Sequence, residues 1–120
     1  MAHRRERGPD FSTIEEPVAL SVAIERYGSE FDAIVVDCLT LWLSNLMVAG
    51  LAPQTEELLV ASLASPAQVI FVTNEVGCGI VPENELARRF RDEAGRLNRQ
   101  VAEAASEVYW MIFGCALRVK

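Results

Sequence analysis

Lysine is nearly missing from this chain: the only one is Lys120, the final residue. The motif GxxxxGK[ST] occurs nowhere, so these 120 residues hold no loop of the kind whose amides cradle phosphates and whose lysine reaches them. Histidine is present once, as His3, and cysteine three times, as Cys38, Cys78 and Cys115. An odd number of cysteines without CxxC spacing excludes a disulfide framework and a cysteine zinc site; reduced thiols are expected. No apolar run approaches membrane-spanning length, and the opening MAHRRERGPD lacks the apolar stretch of a secretory signal. The expectation is a cytoplasmic protein without a membrane span. There is no repeat, low-complexity stretch or linker, and the length suits one domain with one core.

What is present is uneven. Seventeen acidic residues against eleven basic ones give a net charge of −6, so the chain as a whole has no long-range attraction for nucleic acid. Yet Arg4, Arg5 and Arg7 crowd the beginning. Such a cluster reads either as a solvated tail or as a local phosphate clamp, because arginine forks match phosphate oxygens.

Hydrophobic periodicity predicts alternating helices and strands. A first helix opens at Glu15–Pro17, with Glu15 and Glu16 facing the positive end of its dipole and Gly28 as its stop. Phe31–Val36 reads as a strand; its unbroken run Ala33, Ile34, Val35, Val36 fits burial on both faces, and it ends on Asp37. Thr40–Ala49 is a helix apolar nearly all the way round, and Gln54–Ala64 is a third helix with an acidic first turn. Val69–Val72 is a second buried strand. A long amphipathic helix spans Glu83–Ala105, with Leu86, Phe90, Leu97 and Val101 on one stripe and Glu85–Arg89 and Asp92–Arg96 as i,i+4 ion pairs. Gly95 inside it suggests close packing, with another subunit as one candidate neighbour, and Cys38 and Cys78 read as small apolar fillers. Val108–Phe113 and Ala116–Val119 form two strands around Gly114. The order is the βαβ grammar of an α/β protein with a mostly parallel sheet, flanking helices and an antiparallel edge at the end.

Two strand ends carry chemistry. The strand at 69–72 stops on Thr73, Asn74 and Glu75 and passes into a loop with Gly77 and Gly79. That is where open α/β sheets place ligands, although glycines there also serve simply to permit positive φ. Asp37, the acid ending a hydrophobic strand, has the pattern of a Walker B metal carboxylate. By itself the signal is weak, because an aspartate after a strand is more often just a turn or helix cap.

Three blocks, in order, resemble one family. VTNEVGCGIVPENELARRFRDEAGRLNRQVA is similar to bifunctional adenosylcobinamide kinase/adenosylcobinamide-phosphate guanylyltransferases. VVDCLTLWLSNLM resembles that family's Walker B strand and the helix after it. HRRERGPDFSTIEEP resembles its guanylylation segment, where a histidine precedes a basic stretch and then T-x-E.

The resemblance implies a RecA-like P-loop NTPase fold and two reactions of cobalamin nucleotide-loop assembly. One phosphorylates the aminopropanol hydroxyl of adenosylcobinamide with ATP or GTP. The other transfers GMP from GTP to adenosylcobinamide phosphate through a covalent GMP-histidine. His3 matches the catalytic histidine; nucleotide contacts fall on Arg4, Arg5, Glu6, Arg7, Glu15 and Asp37, and Asp37 is the Mg²⁺ ligand, through water. Glu75, Gly77 and Gly79 make a candidate substrate loop. A homo-oligomer, with a trimer implied, is expected.

This sequence departs from the family pattern in lacking the P-loop with its strand and helix. The implied organisation is a single truncated nucleotide-binding domain over residues 1–120, with a guanylylation segment at 1–16 and the Walker B strand to the C-terminal strands at 31–120. Loss of the P-loop predicts little turnover and uncovered apolar sheet faces. A non-catalytic nucleotide- or corrinoid-binding module and an oligomerisation or interaction protein are the alternatives.

Overall fold

The computed structural model describes residues 9–75 and 84–120. Among the described residues eight elements follow one another: α1 (Leu20–Tyr27), β1 (Ala33–Asp37), α2 (Leu39–Val48), α3 (Thr55–Ala64), β2 (Gln68–Val72), α4 (Glu85–Ala104), β3 (Tyr109–Ile112) and β4 (Cys115–Arg118). β1 and β2 pair in parallel, joined by the α2–α3 crossover, with Val36 opposite Phe71 and Asp37 opposite Val72. Parallel strands need a long connection, and two helices supply it here. The fold is mixed α/β with a small parallel sheet.

One core lies beneath that sheet. Ile24 of α1, Val36 of β1, Leu39, Trp42, Leu43 and Leu46 of α2, Leu58 and Ala61 of α3, and Ala94, Leu97 and Val101 of α4 form a single cluster. Ile24, Leu39, Leu43 and Leu58 are the largest side chains wholly removed from water, each contributing about 1.5–3 kcal/mol of transfer free energy.

The four described helices share this core, and only one face of the strand pair takes part in it, through Ile34, Val36, Val69 and Phe71. The opposite face carries Val35, Ile70 and Val72, which are 49%, 42% and 42% exposed. The expected burial of both strand faces is therefore wrong for the described residues. An unbroken apolar run does not reveal that both crossover helices fall on one side. The helix expected to be apolar all round shows a similar split: Trp42, Leu43 and Leu46 are buried, whereas Leu41 and Val48 face outward.

The first helix begins later than expected. The carbonyls of Pro17 and Val18, which would accept its first-turn bonds, are taken by α2: Asn45 Nδ2 donates to Pro17 O at 3.1 Å and Trp42 Nε1 to Val18 O at 2.7 Å. The helical ladder starts with Ala23 N–H donating to Ala19 O. Glu16 still does what its position promised. Its carboxylate accepts from Val18 N at 3.1 Å and Ala19 N at 3.0 Å. Those two backbone bonds, Ala19's the stronger influence, hold its carboxyl below the ordinary range.

Gly28 follows α1 for a steric reason: a Cβ there would lie 2.8 Å from Ile24 O and collide with the Ser65 hydroxyl. Gly95 is different. Apart from its own helix, no described atom lies within 4 Å of where its Cβ would be.

The C-terminal strands make a separate antiparallel hairpin, where an edge of the parallel sheet was expected. Its turn has positive φ at Phe113 (51°) and Gly114 (72°), the two-residue geometry that matches strand twist. The hairpin is fastened to α4 by Lys120, whose Nζ donates to Ala102 O at 3.0 Å and Glu103 O at 2.9 Å. A cation there also opposes the negative end of the helix.

Candidate functional site

Asp37 is the last residue of β1 and is exposed. Its register partner Val72 closes β2, so the chain leaving β2 at Thr73, Asn74 and Glu75 starts beside it. The Asp37–Cys38 peptide is cis, and Cys38 N-caps α2, its Sγ accepting from Leu41 N at 3.4 Å. Cys38 is thus a cap, where an apolar filler was expected.

A hydrogen-bonded ring crosses this carboxyl edge. Asn74 N–H donates to Thr40 Oγ1 at 3.0 Å; Thr40 and Thr73 hydroxyls lie 3.4 Å apart; Thr73 Oγ1 donates to Asn98 Oδ1 at 2.6 Å; and Asn98 Nδ2 donates back to Asn74 O at 3.1 Å. The proton of Thr73 is spent on Asn98, so Thr40 must be the donor of the Thr40–Thr73 bond. The ring joins the first turn of α2, the end of β2 and the middle of α4. Thr40 and Asn98 escaped the sequence reading. The only signal was that Asn98, polar, sits beside Ala94, Leu97 and Val101 on the buried stripe of α4.

Because Asn98 is the anchor, thirteen residues of α4 precede it (85 to 97), roughly 20 Å of helix. Its first turn is capped by Asn84, whose Oδ1 accepts from Leu86 N at 2.8 Å and Ala87 N at 3.2 Å. Leu86 is exposed and Phe90 half-buried, so the apolar stripe runs out of the core at this end. Arg96 binds Glu93 at 2.7 Å, replacing the expected Asp92–Arg96 pair; Asp92 instead lies 3.9 Å from Arg91.

Among the other candidate residues, Glu75 is exposed at this same edge. Glu15 is exposed in the segment before α1 that Trp42 and Asn45 bind to α2. His3, Arg4, Arg5, Glu6, Arg7, Gly77 and Gly79 lie outside the described residues. A surface cleft of about 380 Å³ opens elsewhere, between Thr55 and Glu56 of α3 and Glu93, Arg96 and Gln100 of α4. It takes in none of the candidate residues.

A divalent cation fits the edge in one manner. Among the described residues no three His, Cys, Asp or Glu side chains cluster, so a cage made wholly of protein ligands is not available there. A site with one protein carboxylate, as Asp37 would supply, is of the kind Mg²⁺ accepts, since that ion keeps several waters and shares its remaining positions with phosphates.

The model of the cobinamide kinase / cobinamide phosphate guanyltransferase family matches residues 1–119. The chain belongs to this family. It is 38% identical over 122 residues to the bifunctional adenosylcobalamin biosynthesis protein CobP of Pseudomonas aeruginosa, spanning 98% of this chain and 70% of that one. Identity to the bifunctional adenosylcobalamin biosynthesis protein CobU of Escherichia coli K12 is 34% over 135 residues, covering 98% of this chain and 75% of the relative. Against CobU of Salmonella typhimurium it is 40% over 106 residues, covering 74% and 59%. The family resemblance expected from the three blocks is thus shown. No helix among the described residues is long and apolar enough to cross a membrane.

Proposed function

We propose that this chain derives its role from adenosylcobinamide kinase/adenosylcobinamide-phosphate guanylyltransferase chemistry in cobalamin biosynthesis, on a RecA-like nucleotide-binding domain spanning residues 1–120. The observation that carries the reading is the family match over residues 1–119, which takes in the His3 segment and the Asp37 edge together. In guanylyl transfer, an imidazole nitrogen of His3 attacks the α-phosphorus of GTP. An N–P bond forms, the P–O bond to pyrophosphate breaks, and pyrophosphate leaves. A phosphate oxygen of adenosylcobinamide phosphate then attacks that phosphorus and releases the imidazole, giving adenosylcobinamide-GDP. Arg4, Arg5 and Arg7 stabilise charge on the phosphate oxygens in transit, with Glu6 beside them. Glu15 accepts hydrogen bonds from the guanine or ribose.

Asp37 would hold Mg²⁺ through water, and the ion supplies charge neutralisation at the phosphates when bound. The kinase half uses ATP or GTP. The segment with Glu75, Gly77 and Gly79 serves as a substrate loop for the corrinoid or the nucleotide, and the working form is a homo-oligomer, a trimer. Without GxxxxGK[ST], these 120 residues on their own turn over neither reaction at a meaningful rate. Incubation with α-labelled GTP and Mg²⁺ should leave no stoichiometric acid-labile label on His3, and such a label would overturn the inactivity. Calorimetry should still detect GTP binding that weakens in Asp37→Asn; no binding of either GTP or cobinamide would end the reading.

A second reading is favoured by exposed apolar surface: Val35, Ile70 and Val72 on the sheet, and Trp110, Met111, Phe113 and Leu117 on the hairpin. Here the chain acts by recruiting a protein partner or further copies. A melting temperature that rises with protein concentration supports it, because association stabilises by mass action.

A further inference from the structure

We infer that Asn98, Thr73 and Thr40 are positioning residues for the nucleotide edge, holding the strand end that carries Glu75 in register with the helix that starts beside Asp37. The inference rests on the reading of Asp37 as the residue that holds metal and nucleotide.

Three observations carry it. First, the ring has one proton arrangement only. Asn74 O can only accept, so the Asn98 amide nitrogen faces it and Asn98 Oδ1 faces Thr73; Thr73 spends its one proton on that oxygen, Thr40 therefore donates to Thr73, and Thr40 accepts from Asn74 N–H. A circuit with a fixed donor sense polarises each bond by the next and fixes the Asn98 amide in one orientation. Second, the bonds are exposed, and none of the four residues belongs to the buried apolar cluster. Third, they sit where an open α/β sheet places ligands, at the carboxyl ends of its parallel strands. The ring uses neither the Asp37 nor the Glu75 carboxylate. It ties the backbone of Asn74, one residue before Glu75, to the side-chain hydroxyl of Thr40, three residues after Asp37.

The consequence is preorganisation. A site held within a fraction of an ångström loses affinity when its supporting hydrogen bonds go, even though no contact to the ligand is removed. The long reach of α4 strengthens the point, because Asn98 is where that helix grips the edge.

The test measures binding of a fluorescent N-methylanthraniloyl GTP in Mg²⁺ to the wild-type chain and to Thr73→Val, Thr73→Ser, Asn98→Leu and Asp37→Asn, with hydrogen exchange of the 74–75 amides alongside. Thr73→Val and Asn98→Leu should weaken binding by about fivefold or more and speed exchange at 74–75. Thr73→Ser, which keeps the hydroxyl, should return to within about twofold of wild type. If exchange quickens in Thr73→Val and Asn98→Leu while affinity holds and Asp37→Asn loses it, the ring only stabilises the fold and this inference is overturned alone. If Asp37→Asn binds like wild type, or wild type does not bind, the Asp37 reading fails and the inference falls with it.

Discussion

Trp42 offers the sharpest test of how the segment before α1 is held. Its indole is buried, and its Nε1–H donates to Val18 O at 2.7 Å. In Trp42→Phe that bond is lost, but Val18 O keeps a donor, Leu20 N at 3.0 Å, so no carbonyl is orphaned. The bond should therefore cost only its net value, about 0.5–1.5 kcal/mol. Two buried ring carbons also disappear, worth about 0.8 kcal/mol each as buried carbon groups. The sum is about 2–3 kcal/mol. For a chain of this length the unfolding entropy converts that to a fall of roughly 8–12 °C in Tm. Urea unfolding followed by circular dichroism gives the free energy, and limited proteolysis reports on residues 9–19, which should be cut faster. Asn45→Ala, losing the 3.1 Å bond to Pro17 O, should cost less, and the double variant should be less than additive because both side chains hold one segment. A Trp42→Phe chain within about 0.5 kcal/mol of wild type, cleaved at the same rate, would mean that the segment is held by something else.

Two further predictions follow from local geometry. Gly28→Ala should destabilise by about 1–3 kcal/mol in urea unfolding, since the added methyl meets Ile24 O and the Ser65 hydroxyl; Ser65→Ala in that background should recover only part, and a neutral Gly28→Ala would show that the two segments separate freely. Glu16 has a folded pKa below its ordinary value of 4.5, so its contribution is present above about pH 4.5 and fades as pH falls through the lower folded value. Stability of wild type between about pH 5 and pH 3 should therefore fall more steeply than that of Glu16→Gln, and parallel curves would remove Glu16 from the acid response.

Local pattern carried much of the fold. The strand at 33–36 and its terminal Asp37 were readable from the apolar run and the acid that ends it, and the stripe at Leu97 and Val101 because helical period and burial coincide there. The failures share one cause, contacts between residues far apart in the chain. Pro17 and Val18 look like a helix start until Trp42 and Asn45 claim their carbonyls. Val35 and Ile70 look buried until both crossover helices settle on the other face. At the site, Asp37 and Glu75 were legible as strand-end acids. The Thr40–Thr73–Asn98 ring was not, because no local spacing links positions 40, 73 and 98. The His3 segment, legible through family resemblance, lies outside the described residues.

Lys120 has a practical consequence for anyone tagging this protein. Amine-directed dyes, crosslinkers and surface-immobilisation chemistries find a single side-chain ammonium in the whole chain, and it is the one clasping the carbonyls of Ala102 and Glu103. Acylation would abolish its charge, and with it the tether between hairpin and helix. Thiol-directed labelling at the exposed Cys115 would leave that clasp untouched.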